Sequence, residues 1–186
     1  LFGSGSLSGT MRYITNQPEI GVSKWFAELD ANTIDASDIG GNVKLGGNMK
    51  LGAKAALRVA AYTSRLQGFI DAVQPDRSVK EGVNTGNRAG FRASLLLRPN
   101  DKLSITPRVV YQKVTMDGWN RADAYNILAN PFTTTRPPVT LGDREQFSQL
   151  EEAFTDKFLL TDLNLRYSFG AAELTSVTSY TDRDVL

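Results

Sequence analysis

The chain contains no cysteine and no histidine. Without cysteine there is no disulfide, no thiol nucleophile and no thiolate metal ligand. Without histidine, the Cys/His zinc spacings and the commonest general base are also gone. An excess of charge of one sign is missing as well: 21 Lys and Arg stand against 20 Asp and Glu, interspersed along 186 residues, for a net charge of +1. Such a balance argues against a nucleic-acid stripe. No apolar run approaches the roughly 18 residues of a transmembrane helix. There is no D-x-[DN]-x-[DN]-G loop, no G-x-S-x-G elbow and no carboxylate dyad by spacing, so no metal, no cofactor and no enzymatic machinery are expected. The first residue is Leu1, with no signal-peptide pattern after it, as expected of a chain whose true start was processed or cut away.

What is present begins with "LFGSGSLSGTMRYITNQP". Gly3, Gly5 and Gly9 read G-x-G-x-x-x-G, one residue too long for a dinucleotide fingerprint, and no strand precedes them. Leu1, Phe2 and Leu7 are interleaved with the glycines, which a flexible Gly/Ser linker does not need. "TMRYIT" then alternates, so the glycines lead into a strand.

Almost every patterned segment that follows has period two. "SKWFAELDANT" sets Trp25, Ala27, Leu29 and Ala31 against Phe26, Glu28, Asp30 and Asn32, and "GNVKLGGNMKL" sets Val43, Leu45 and Met49 against Asn42, Lys44 and Asn48. "AALRVAAYTSR", "RAGFRASLLLR", "KLSITPRVVYQKV", "DKFLLTDLNLRYSF" and "AELTSVTSYTDR" alternate likewise. The reading is all-β, with about seven antiparallel strands of roughly ten residues. Val43, Leu45, Leu57, Val59, Phe91, Leu95, Leu97, Leu103, Ile105, Leu163 and Leu165 are assigned to one face. Arg58, Arg92, Arg108, Asp162 and Arg166 are assigned to the other. One stretch alone, "DREQFSQLEEAF", spaces Phe147, Leu150 and Phe154 as a short helix would.

The connections add a second signal. "LGAK", "PND" and "GAA" are tight turns, whereas residues 67–87 and 117–156 are long loops. In a meander the tight turns fall at one end and the long loops at the other; only the hairpin through "DASD" is short at the long-loop end. That layout belongs to outer-membrane barrels. A soluble sandwich or lipocalin-like barrel also alternates, but compact domains rarely hold a loop of about 40 unpatterned residues. Strands of roughly ten residues also exceed the usual five or six.

The opening stretch resembles the end of the plug domain of TonB-dependent outer-membrane receptors, through Gly3, Gly5, Ser6, Gly9, Thr10, Ile14, Thr15 and Pro18. "ALRVAAYTSRLQGFID" resembles that family's third barrel strand and second outer loop. "RASLLLRPNDKLSITPRVVYQ" resembles its fourth and fifth strands, and "LTSVTSYTDRD" a later one. The resemblance implies that residues 1–20 end a plug domain and residues 21–186 begin an incomplete transmembrane β-barrel, most of which lies outside this chain. It further implies TonB-dependent uptake of a scarce ligand, a ferric siderophore first, across the outer membrane of a Gram-negative bacterium. The partners would be the TonB complex, outer-membrane lipid and the ligand. A passive porin or structural barrel is the alternative.

Ligand-contact candidates lie in the second long loop, where "DGWNRADAYN" carries Trp119, Arg121 and Tyr125, an aromatic–cation group suited to an anionic or planar ligand. Trp119 also fits an interfacial aromatic girdle. Phe132, Arg136 and Arg144 extend the mixture of aromatic and cationic groups, and Pro131, Pro137 and Pro138 limit the loop's entropy.

Overall fold

The structure, a computed structural model, describes residues 14–34, 38–123, 141–147 and 151–186, leaving aside the side chain of Asp38. The described residues form strands and loops, with no helix. The main sheet has seven strands: β1 (Lys24–Ile34), β2 (Asp38–Lys50), β3 (Ala55–Leu66), β6 (Gly86–Asn100), β7 (Leu103–Met116), β9 (Phe154–Ser168) and β10 (Glu173–Val185). They pair antiparallel in chain order, and β1 and β10 are left as open edges, so the sheet is not closed. At 11 to 15 residues they run somewhat longer than the alternation suggested.

Register carries the alternation across the whole sheet, because directly opposed residues share a face. Leu45 stands opposite Ala27 and Ala61, which in turn faces Phe91, then Tyr111 and Leu159. Three residues along, Arg58 faces Ser94, Arg108, Asp162 and Ser179. All the residues assigned to the apolar face therefore lie together, and the assigned arginines and Asp162 lie on the opposite one. In β2, a Cβ on Gly46 would meet the ring of Phe26 within 2.9 Å, and Gly47 is as tightly covered by Trp25. The adjacent glycines therefore accommodate one large ring on each face of the sheet.

The edge strands are exposed on both faces, and in the inner strands the buried side chains lie on the polar face. On the polar face Asn48 is 0% exposed, Ser94 2% and Asp162 8%. On the apolar face Leu29 is 78% exposed, Trp25 61% and Leu45 54%. The chain before β1 lies against the polar face. Asn48 Nδ2 donates to the carbonyls of Glu19 and Val22, while its Oδ1 accepts from the Glu19 amide. Ser23 Oγ accepts from the Lys50 amide. Ile14, Gln17 and Pro18 line a cleft together with Arg108 and Arg166 of the sheet. Residues 1–13, including the glycine run that carries much of the plug resemblance, lie outside the described residues, as do residues 35–37 of the first hairpin.

The turns at residues 51–54, 101–102 and 169–172 gather at the end where this segment lies, and the long connections gather at the other. There the structure departs from the sequence reading. The proposed helix is absent among the described residues. Instead Glu145–Phe147 forms β8, which pairs parallel with β4 (Asp71–Val73), itself paired with β5 (Val79–Lys80). Phe147 and Phe154 had suggested a helical face. A three-residue strand is too short to show a period of its own, and Phe154 opens β9. Residues 148–150, with Leu150, lie outside the described residues.

Candidate functional site

The long-loop end is a small folded unit shared by the two connections. Aspartate and asparagine side chains hold it by capping backbone amides, which short irregular segments cannot satisfy through a ladder. Asn84, 1% exposed, accepts from the amides of Phe69 and Ile70 and donates to Asn120 Oδ1 of the other loop at 2.7 Å. Asp71 Oδ1 accepts from the Gly82 amide, and Asp123 Oδ2 from the Phe147 amide. Between the loops, the Asp71 amide donates to Arg144 O and Asp117 N to Thr85 O; within the second, Asp123 N donates to Glu145 O. Gly68 and Gly82 approach so closely that a Cβ at Gly68 would collide with the Gly82 backbone. Ile70, Ala72, Val73 and Met116 make up much of the buried apolar interior of the protein, and all lie at this end.

A salt bridge joins the loops at the surface, with Lys80 Nζ 2.8 Å from Glu151 Oε1. The hydrogen bond, and then the opposite charge, hold the Glu151 carboxyl below its ordinary range and raise the Lys80 ammonium above its own. In the turn between β4 and β5, Asp76 accepts from the Ser78 hydroxyl and amide, which lowers its carboxyl as well.

Trp119 and Arg121 lie at the base of this unit. The Trp119 indole stacks on Phe154 at 5.1 Å between ring centroids and is 54% exposed. The Arg121 guanidinium lies 3.4 Å from Asp123 and 3.2 Å from Glu152. Each member of the pair thus has a partner within the protein. The stacked indole offers an open face to a planar ligand, whereas an anion reaching Arg121 would compete with two carboxylates. Tyr125, Phe132, Arg136 and the three loop prolines lie outside the described residues. Arg144 is described; its backbone, at φ 61°, turns the chain into β8.

No protein-family model, curated protein or solved structure matches the chain. The site is therefore read from its own geometry.

The sequence reading missed the union of the two loops. Its signal was faint: "DAV" and "EQF" are each three residues long, 71 and 145 residues into the chain, and their pairing is parallel. The more legible clue was the repeated Asp or Asn at Asp71, Asn84, Asp117 and Asp123, residue types that cap backbone amides in irregular segments.

Proposed function

We propose that these strands form part of the wall of a larger outer-membrane β-barrel, a receptor for TonB-dependent uptake of a scarce ligand, with a ferric siderophore as its class. One observation carries the membrane part: large apolar residues on one face of the seven-stranded sheet stay exposed or half-exposed, while the buried side chains of its inner strands lie on the polar face. In water that arrangement forfeits the main driving force of folding. In a bilayer the bare face meets hydrocarbon, and the open edges of β1 and β10 pair with further strands of the barrel.

Two further features support a plugged receptor. The segment before β1 lies on the polar face, where a plug would meet the wall, and a passive porin needs nothing there. The long connections fold into one unit at the end opposite the tight turns, as outer capture loops would. In this reading Trp119 is a ligand-stacking surface, TonB acts through the region upstream, and the protein is a transporter rather than an enzyme.

The test expresses the full-length protein in a Gram-negative host lacking its own siderophore receptors, with and without functional TonB. Growth on a panel of ferric siderophores under iron limitation should require both the protein and TonB. Heat-modifiable electrophoretic mobility should mark a folded barrel. A folded barrel whose expression never supports growth, or supports it without TonB, refutes the uptake reading. A water-soluble protein without heat modifiability refutes the membrane reading too.

A further inference from the structure

The polar face is strongly cationic at the tight-turn end, far from the loops. There, between the segment before β1 and the ends of β6, β7 and β9, lies a cleft of about 470 Å³. Arg98, Arg108 and Arg166 line it with Ser104, Thr106 and Asn164. Register places Ser104 opposite Arg166 and Thr106 opposite Asn164, so hydroxyl and amide donors alternate with the guanidinium groups along the β7–β9 pair.

Among the described residues, cations outnumber the anions paired to them there. Asp162 accepts from Arg108 Nε at 2.7 and 2.9 Å, which leaves both terminal nitrogens of Arg108 without a partner among the described residues. Neither Arg98 nor Arg166 forms an ion pair among them. Arg98 and Arg166 also line an adjoining recess of about 300 Å³, which they share with Lys102 and with the carboxylates of Asp101 and Glu173. The excess continues up the face: Arg92 sits diagonally between Arg58 and Arg108, its opposed neighbours being Ala60 and Val110. Like charges so placed repel. Arg92 Nη2 and Ser94 Oγ are buried without a hydrogen-bond partner.

From this we infer a second ligand site, at the tight-turn end of the wall, for an oxyanion bearing several carboxylate or phosphate oxygens. Guanidinium groups bind such oxygens in pairs, and the flanking hydroxyls complete the donor set. The inference deepens the uptake reading by naming the charge class of the cargo, and it rests on that reading in treating the polar face as a lumen. The loop end captures ligand through an exposed indole; the cleft receives an anion at the opposite mouth.

The experiment uses the full-length protein in detergent at low ionic strength, with citrate and inorganic phosphate as probes in titration calorimetry. The double variant Arg98→Gln/Arg166→Gln should bind the probes about tenfold or more weakly. Added NaCl should weaken binding to the unsubstituted protein. Preference for citrate identifies a carboxylate cargo as the occupant, and preference for phosphate identifies a free phosphate. A control with the same charge loss away from the cleft, Arg77→Gln/Arg88→Gln, should bind as before. Equal weakening in both double variants, or no binding by the unsubstituted protein, overturns the inference. Heat modifiability of the same preparations keeps that failure distinct from failure of the barrel reading.

Discussion

Replacing Leu45 with lysine puts the bare apolar face to the test. Leu45 lies well inside β2, between Ala27 and Ala61 across the sheet, with 54% of its surface exposed. If that surface meets lipid, a lysine near the bilayer midplane costs about 2–4 kcal/mol. Losing a half-exposed leucine from an apolar environment adds roughly 1 kcal/mol. The expected destabilisation is therefore about 3–5 kcal/mol, or a factor of roughly one hundred to several thousand in the folding equilibrium. If the face met water, the same change would be neutral or would improve solubility, so the two readings differ in sign. The matched control is Asn42→Lys on the polar face, opposite Asp30 and Ser64. It loses a hydrogen bond from Ser64 Oγ at 2.9 Å and gains a charge partner, for a net change within about 1 kcal/mol. The assay is reversible urea unfolding of the full-length protein in lipid vesicles, followed by tryptophan emission and heat modifiability. Equal stabilities for L45K and N42K, or a more stable L45K, would refute the orientation of the wall.

Three further outcomes concern the loop unit. Asn84→Ala leaves the buried amides of Phe69 and Ile70 without their acceptor, at about 1–3 kcal/mol each, and should speed protease nicking within residues 67–85 with little effect on the wall. Gly68→Ala drives a methyl into the Gly82 backbone and should cost about 1–3 kcal/mol locally, read as faster amide exchange at Ile70 and Val83; unchanged exchange would count against the packing described. The Lys80–Glu151 bridge should respond to pH with a defined sign. The folded-state carboxyl of Glu151 lies below its unfolded value of 4.5, so its contribution is complete above that value. It is lost as pH falls through the lower, folded value. Spin labels on the two loops should separate over that acid range, and Lys80→Gln should abolish the response.

The seven-stranded sheet was legible because its pattern is strict and repeated. Once Leu57 pairs with Leu95 and Arg58 with Ser94, the alternation in each strand constrains its neighbours, since a slip of one residue would turn every side chain over. The tight turns were legible through their Gly, Pro, Asn and Asp residues. The loop unit was not, for a physical reason. β4 and β8 are three residues each, and what holds them is a handful of side-chain caps together with a parallel pairing between segments more than 70 residues apart. Neither leaves a periodicity. Arg121 shows the same limit at a single residue. Its place near Trp119 in the chain suggested a ligand-contacting cation, but Asp123, two residues on, and Glu152, near the end of the same loop, pair with it. Sequence proximity showed which groups share a region, but not which of them are already partnered.

The union of the loops changes what a loop truncation can mean. Residues 122–149 look from the sequence like a removable ligand-capture segment. They contain Asp123, which holds the Phe147 amide, and all of β8, which pairs with β4. Removing them would strip β4 of its parallel partner and take away Arg144, whose carbonyl accepts from the Asp71 amide. A loss of ligand binding in such a variant would then report on the first loop as much as on the second. A truncation confined to residues 126–138 keeps Asp123, Arg144 and β8, and asks the narrower question. If binding falls while the amides of Phe69 and Ile70 stay protected from exchange, the deleted residues themselves contact the ligand. If protection falls with it, the two loops act as one body, and capture depends on the scaffold that Asn84 and β8 hold together.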